Sequence, residues 1–151
     1  MLFAVAAFFP ETALAALFGD LFAGSPPATL GVRDGMLAPC PDKPNCVTSR
    51  ATDDEHAVAP FAYTGDPTVA LGRLAGAISM QRGARIVTRK PDYVHAEFQS
   101  RMIGFVDDLE VQVDAAAQVI HVRSASRLGR RDFGVNRARI EALRAAFAGA
   151  T

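Results

Sequence analysis

Net charge is the first thing this chain lacks: across 151 residues, sixteen Lys and Arg balance sixteen Asp and Glu. With no overall positive field to draw it to nucleic acid or to an anionic membrane surface, no nucleic-acid partner is expected. Metal ligands are scarce as well. A structural zinc site takes four Cys or His ligands at close spacing, and the chain offers two Cys and three His in all. His56 can join Cys40 and Cys46, but no fourth ligand is evident, so neither a metal nor a cofactor is expected. The C-x-x-C spacing of thiol oxidoreductases is missing, because five residues separate Cys40 from Cys46. Internal repeats are absent, and so is low complexity beyond a richness in alanine. A half-hydrophobic chain of this length suits one globular domain with a modest core.

Basic residues are also missing from the first 24 positions, MLFAVAAFFPETALAALFGDLFAG; the first in the chain is Arg33. A secretory signal wants a basic start, an apolar run and a small-residue cleavage site, and only the second and part of the third are present. A single straight span would have to bury Glu11 and Asp20, at about 2.5 to 3.5 kcal/mol for such a charge at mid-bilayer. Two shorter pieces fit better. Met1 to Phe9 is followed by a helix opened by Pro10, with Leu14, Leu17, Phe18, Leu21 and Phe22 on one stripe. That stripe reads as a surface for a membrane or a partner protein; the other reading is a helix folded onto its own domain. Residues 25–36 turn to Pro, Gly and Thr with isolated charges and read as an ordered linker, which leaves 37–151 as the folded domain.

Within that domain, GDPTVALGRLAGAISMQRG predicts a helix, with Asp66 as N-cap, Pro67 in the first turn, Leu71, Leu74, Ala75 and Ile78 inward, and Gly83 as its stop. Period two follows. Val94, Ala96, Phe98, Ser100 and Met102 share one face of a strand whose other face is His95, Glu97, Gln99 and Arg101. Phe105, Asp107, Leu109, Val111 and Val113 oppose Val106, Asp108, Glu110 and Gln112. Ile120, Val122, Ser124 and Ser126 oppose His121, Arg123 and Arg127. Turns at Ile103-Gly104 and at Asp114 to Ala117 make these three an antiparallel meander, and a strand near Ala84 to Arg89 adds a fourth. A closing helix turns Ile140, Leu143 and Phe147 inward. The expected fold is α+β: an antiparallel meander of about four or more strands with two helices covering one face.

A two-residue turn at Ile103-Gly104 sets Ser100 opposite Asp107 and Gln99 opposite Asp108. A four-residue loop over 114–117 sets Asp107 opposite Ser124, Asp108 opposite Arg123 and Glu110 opposite His121. Asp107 is then the one carboxylate on the core face, either bonded to hydroxyls and tying a helix or loop end inward, or raised in pKa as a candidate functional group. The other face gathers His95, Glu97, Arg101, Asp108, Glu110, His121, Arg123 and Arg127. A histidine beside carboxylates and arginines suits general acid–base work or anion binding; the alternative is a solvated face laced with cross-strand ion pairs. On the catalytic reading Asp107, Asp108 and His121 are the acid–base candidates; on the binding reading Arg101, Arg123, Arg127 and Arg131 hold a small anion. No Ser or Cys nucleophile with an orienting base is identifiable from spacing. Asp132-Phe133-Gly134 matches the kinase metal-binding tripeptide, but the glycine loop, lysine strand and catalytic loop are missing, so the match is coincidence. With Arg127, Arg130 and Arg131, SRLGRRDFGVNR is a basic loop entering the last helix, where a phosphate or carboxylate would sit well.

In APCPDKPNCVTS the simplest reading of Cys40 and Cys46 is a disulfide across a short loop that Pro39, Pro41 and Pro44 already stiffen, worth about 2 to 3 kcal/mol. It would suit an oxidising compartment such as a periplasm; two buried thiols in a cytoplasmic protein are the alternative. PCPDKPNCVTS, YVHAEFQSRMIGFVDDLEV and IHVRSASRLGRRDFGVNRARIEAL, in this order, resemble the family of bacteria and plastid-bearing eukaryotes known as domain of unknown function 1499, over about residues 36–148. The resemblance implies no catalytic activity or cofactor, and an N-terminal hydrophobic anchor in many bacterial members; this chain departs from them in its acidic, unbasic first 24 residues. The expectation is a non-catalytic, membrane-associated domain on the periplasmic side, an accessory or assembly subunit that binds a partner protein in a membrane complex. The alternative is a hydrolase, a lyase or an anion-binding protein working through Asp107, Asp108, His121 and Arg123.

Overall fold

Alternation of apolar and polar residues builds the sheet. In the computed structural model, which describes residues 21–149, the strands are β1 (Cys46–Thr48), β2 (Phe61–Ala62), β3 (Ala84–Arg89), β4 (Tyr93–Gln99), β5 (Val106–Asp114) and β6 (Val119–Ser126). The helices among the described residues are α1 (Pro67–Ser79) and α2 (Val135–Gly149). The order across the sheet is β1-β6-β5-β4-β3, with β2 also pairing β6, and every pairing is antiparallel. The α+β meander with two helices is therefore present, and β1 and β2 extend it.

Asp66 caps α1 by accepting from Val69 N at 3.0 Å, with Pro67 in the first turn, where its missing N–H costs nothing. Ala70, Leu71, Leu74, Ala75 and Ile78 from α1, with Ile140, Leu143 and Phe147 from α2, cover Val94, Ala96, Phe98, Leu109, Val111, Ile120 and Val122 of the sheet. This is the main core. Gly83 follows α1 at φ +78°, and a Cβ there would lie 2.4 Å from the Gln99 carbonyl oxygen. Gly134 has a similar φ of +81° but open space around it. Gly83→Ala is thus expected to lose about 2 kcal/mol in urea unfolding, against about 1 kcal/mol for Gly134→Ala, since only the first adds a clash to the left-handed strain.

Both hairpins differ from expectation by two residues. Ser100 N donates to Phe105 O at 2.8 Å and Phe105 N to Ser100 Oγ at 3.0 Å, so the β4–β5 loop is Arg101 to Gly104 rather than a two-residue turn. Asp107 accordingly lies opposite Phe98, and Asp108 opposite Glu97. The next loop runs from Ala115 to Gln118, which brings Asp107 to Ser126, Asp108 to Ala125 and Glu110 to Arg123. A shift of two preserves the faces and changes the neighbours.

The polar face is not wet. Gly31 N donates to Glu110 Oε1 at 2.7 Å, Gln112 Nε2 to Gly35 O at 2.9 Å, and Arg127 Nη1 to Gly24 O at 3.4 Å. The chain read as a linker crosses this side of the sheet and buries His95, Asp108, Glu110, Gln112 and Arg123. A tight turn at Asp34-Gly35, with positive φ at both residues and reciprocal bonds between Arg33 and Met36, holds the Gly35 carbonyl over Gln112.

Candidate functional site

Closing the polar face puts charges where water does not reach, so each needs a partner. Asp108 Oδ1 receives His95 Nε2 at 2.8 Å and Arg127 Nη2 at 2.7 Å, while Arg127 Nε reaches its Oδ2 at 2.8 Å. Arg127 also binds Glu97, which Arg85 meets from β3. Burial alone would raise the Asp108 carboxyl, but the hydrogen bonds and charges of Arg127 and His95 outweigh it and hold the group below the usual carboxylate range. Burial pushes Glu97 the same way and Arg127 and Arg85 reverse it. Arg127 is raised in turn, chiefly by its bonds to Asp108.

One row along, Glu110 accepts from Tyr93 Oη at 2.8 Å and from Gly31 N, and meets Arg123 Nη1 at 3.4 Å. Burial, then the charge of Glu110, drives the Tyr93 phenol well above its ordinary value, so it stays a neutral donor.

The sequence-predicted residues separate into groups. Asp107 points to the helix side, where Arg139 of α2 binds it and stacks over Phe98, 4.5 Å from the ring centre. Asp107 and Asp108 therefore lie on opposite sides of the sheet. His121 lies opposite Gln112, away from Asp108, with Nδ1 3.0 Å from Ser49 Oγ and Nε2 3.7 Å from Asp114. Burial and then the charge of Arg50 lower its pKa. Ser49, His121 and Asp114 follow the order of nucleophile, base and orienting acid, a grouping that spacing did not reveal. The Asp114 contact is too long for a hydrogen bond, and Ser49 Oγ already accepts from Val122 N at 2.9 Å. Arg101 and Arg131 are exposed in loops. Asp132-Phe133-Gly134 is a helix cap: the Asp132 carboxylate accepts from Gly134 N and Asn136 N, and Phe133 stands in solvent.

Cys40 and Cys46 are joined, S–S 2.04 Å, and the bridged loop leads directly into β1, which pairs the Arg123–Ala125 end of β6. Between this loop, the chain near Pro27 and the basic loop after β6 lies an open cleft of about 830 Å³. Its lining includes Asp108 and Arg123 on the sheet, Arg127 just past β6, Asn45 and Lys43 from the disulfide loop, and Arg130. Lys43 and Asn45 were not among the predicted binding residues. The expected disulfide and Pro39, Pro41 and Pro44 are the signs in the sequence that this loop is held in place, but they do not single out Lys43 or Asn45.

Residues 36–147, most of the chain, match the model of a protein family of unknown function, DUF1499. The chain belongs to that family. No curated protein is similar enough to the chain to match it. The DUF1499 match takes in the disulfide loop, the whole sheet, α1 and all but the last two residues of α2, and so covers most of the residues that line the cleft.

A second surface lies beside it. Leu21 and Phe22 are exposed, and the Phe22 ring meets Phe105 edge-on at 5.8 Å between centres. Met102 and Ile103, at the tip of the same loop, are 95% and 50% exposed. Leu14, Leu17 and Phe18, the rest of the predicted stripe, lie outside the described residues. Among the described residues no helix is long and apolar enough to cross a membrane.

Proposed function

We propose that this DUF1499 protein is a non-catalytic binding domain that works at a membrane surface, on the oxidising, periplasmic side, as an accessory or assembly subunit of a membrane complex. The observation that carries this reading is the apolar patch formed by Leu21, Phe22, Met102, Ile103 and Phe105 where the apolar first 20 residues join the domain. Soluble surfaces seldom gather this many large apolar side chains unless something covers them. The disulfide supports the oxidising side. The non-catalytic part is supported by the ion pairing of two of the acid–base candidates, Asp107 with Arg139 and Asp108 with Arg127 and His95, while Asp114 stands 3.7 Å from His121, too far to orient it by a hydrogen bond. A group locked in an ion pair is poorly placed to shuttle protons.

The test is co-sedimentation of the full chain with phosphatidylcholine vesicles. The intact protein is expected to partition onto them. Met102→Asp with Ile103→Asp, at exposed positions that leave the core alone, is expected to weaken partitioning about tenfold or more. A full-length chain that stays in the supernatant would overturn the membrane reading, and an unchanged double variant would remove the loop from it.

A further inference from the structure

The cleft at the end of β6 has a chemistry that membrane contact does not use. Two residues on its lining each carry a buried polar atom with no hydrogen-bond partner among the described residues: Arg123 Nε, a donor, and Asn45 Oδ1, an acceptor. Their residues are only 5% and 4% exposed. Buried polar groups are nearly always paired, so an orphan donor and an orphan acceptor on one cleft need an explanation.

Charge gives a direction. Asp108, the one acidic residue on the lining among the described residues, is already satisfied by Arg127 and His95, and Arg127 is doubly bound. Arg123 has one long contact, 3.4 Å, to a Glu110 that also accepts from Tyr93 and Gly31. Lys43 and Arg130 add two further positive groups at the mouth. The surplus is positive, while the walls are Pro27, Ala38, Pro39, Pro41 and Leu128, beside the disulfide. Apolar walls with a few convergent polar groups, in a volume well above that of a bare ion, are the usual build of an organic-ligand site.

We infer that the cleft binds an organic oxyanion. Its carboxylate or phosphate head meets Arg123, Lys43 and Arg130, a hydroxyl or N–H donor beside the head bonds to Asn45 Oδ1, and an apolar body lies against the proline wall. Guanidinium suits such a head because its planar fork matches an oxyanion with charge-assisted bonds. This binding is independent of the vesicle partitioning proposed above.

The experiment follows the arginine Nε–H signals of the full-length, isotope-labelled protein by NMR during titration with octanoate, phenyl phosphate, acetate and inorganic phosphate. The Arg123 signal is expected to shift saturably, while that of Arg127, whose Nε–H is held by Asp108, stays in place. One of the two probes with an apolar body is expected to bind at least about tenfold tighter than its bare head. Ala125→Leu, which fills the floor and removes no charge, is expected to weaken binding about tenfold or more; Arg130→Ala, on the rim, about threefold or more. Linear, unsaturated shifts, or equal binding by both variants and the parent, would overturn the inference. Flotation with phosphatidylglycerol vesicles separates the sources of the head. If Arg130→Ala loses the preference for them over phosphatidylcholine, the oxyanion is a lipid headgroup, and if it keeps that preference, the ligand is soluble.

Discussion

Asp108→Ala is expected to cost about 3 to 5 kcal/mol in urea unfolding at neutral pH, a large part of the stability of a domain this size. The cost comes less from the lost bonds than from what remains. Arg127, its side chain 4% exposed, keeps its charge beneath the chain at Gly24 with only Glu97 to answer it, and His95 loses its acceptor. Glu97→Gln, nearer solvent and still able to accept from Arg127, should cost about 1 kcal/mol. The pH dependence carries the same signature. The folded-state pKa of Asp108 lies below its ordinary 3.8, so its contribution is complete above that value and is lost as pH falls through the folded pKa. Glu97 behaves alike from its ordinary 4.5 downward. Below about pH 4 the parent should lose stability steeply and Asp108→Ala less so, and the two curves should converge. A loss under about 1 kcal/mol at neutral pH would mean that water reaches Arg127, and would count against a sealed polar face.

That sealed face is also where the sequence was least informative. Alternation along β4, β5 and β6 assigned each side chain to its face correctly, because a buried sheet side imposes period two whatever the loops do. Partners were harder. Ile103-Gly104 suggested a tight turn, yet Ser100 closes a four-residue loop with its backbone and hydroxyl together, and each pair on the hairpin moved by two. Nothing local announces such a choice. The cover over His95, Asp108 and Glu110 was hidden for a different reason: the chain from Gly24 to Gly35 docks through its own N–H and C=O groups, at Gly31, Gly35 and Gly24, and so needs no apolar period. Proline, glycine and isolated charge then look like a linker. The two histidines, three acids and three arginines that alternation places on one sheet face were the available sign, since so many charges seldom share a strand surface without being paired.

Asn136→Ala is expected to cost about 3 kcal/mol, although it removes little apolar surface. Asn136 is fully buried at the start of α2. Its Oδ1 accepts from Ser124 Oγ and Arg139 Nη1, each at 2.6 Å, and its Nδ2 meets Asn45 O at 3.2 Å, Ser126 Oγ at 3.0 Å and Asp132 Oδ2 at 2.9 Å. One amide thus ties β6, the strand leaving the disulfide loop and the cap of α2 together, and alanine leaves several of those groups without a partner. Asn136→Asp separates the donor from the acceptor role. It keeps an acceptor for Ser124 and Arg139, loses the N–H donors, and sets a second carboxylate against Asp132. In the parent, burial would raise Asp132, but bonds from the Asn136 backbone and side chain and from Gly134 hold it low; Asn136→Asp removes the side-chain bond and leaves only the two backbone donors to answer two facing carboxylates. At that pH Asn136→Asp should be at least as unstable as Asn136→Ala. As pH falls, one of the two facing carboxylates takes a proton and becomes a donor to the other, so the deficit should shrink. Acid therefore favours this variant relative to the parent through its own added carboxyl, whereas Asp108→Ala gains on the parent only because the parent's existing pair is lost. Urea midpoints of the three proteins from pH 7 down to about 4 would separate the two causes, and an Asn136→Asp deficit that does not change with pH would show that the new carboxylate turns away from Asp132.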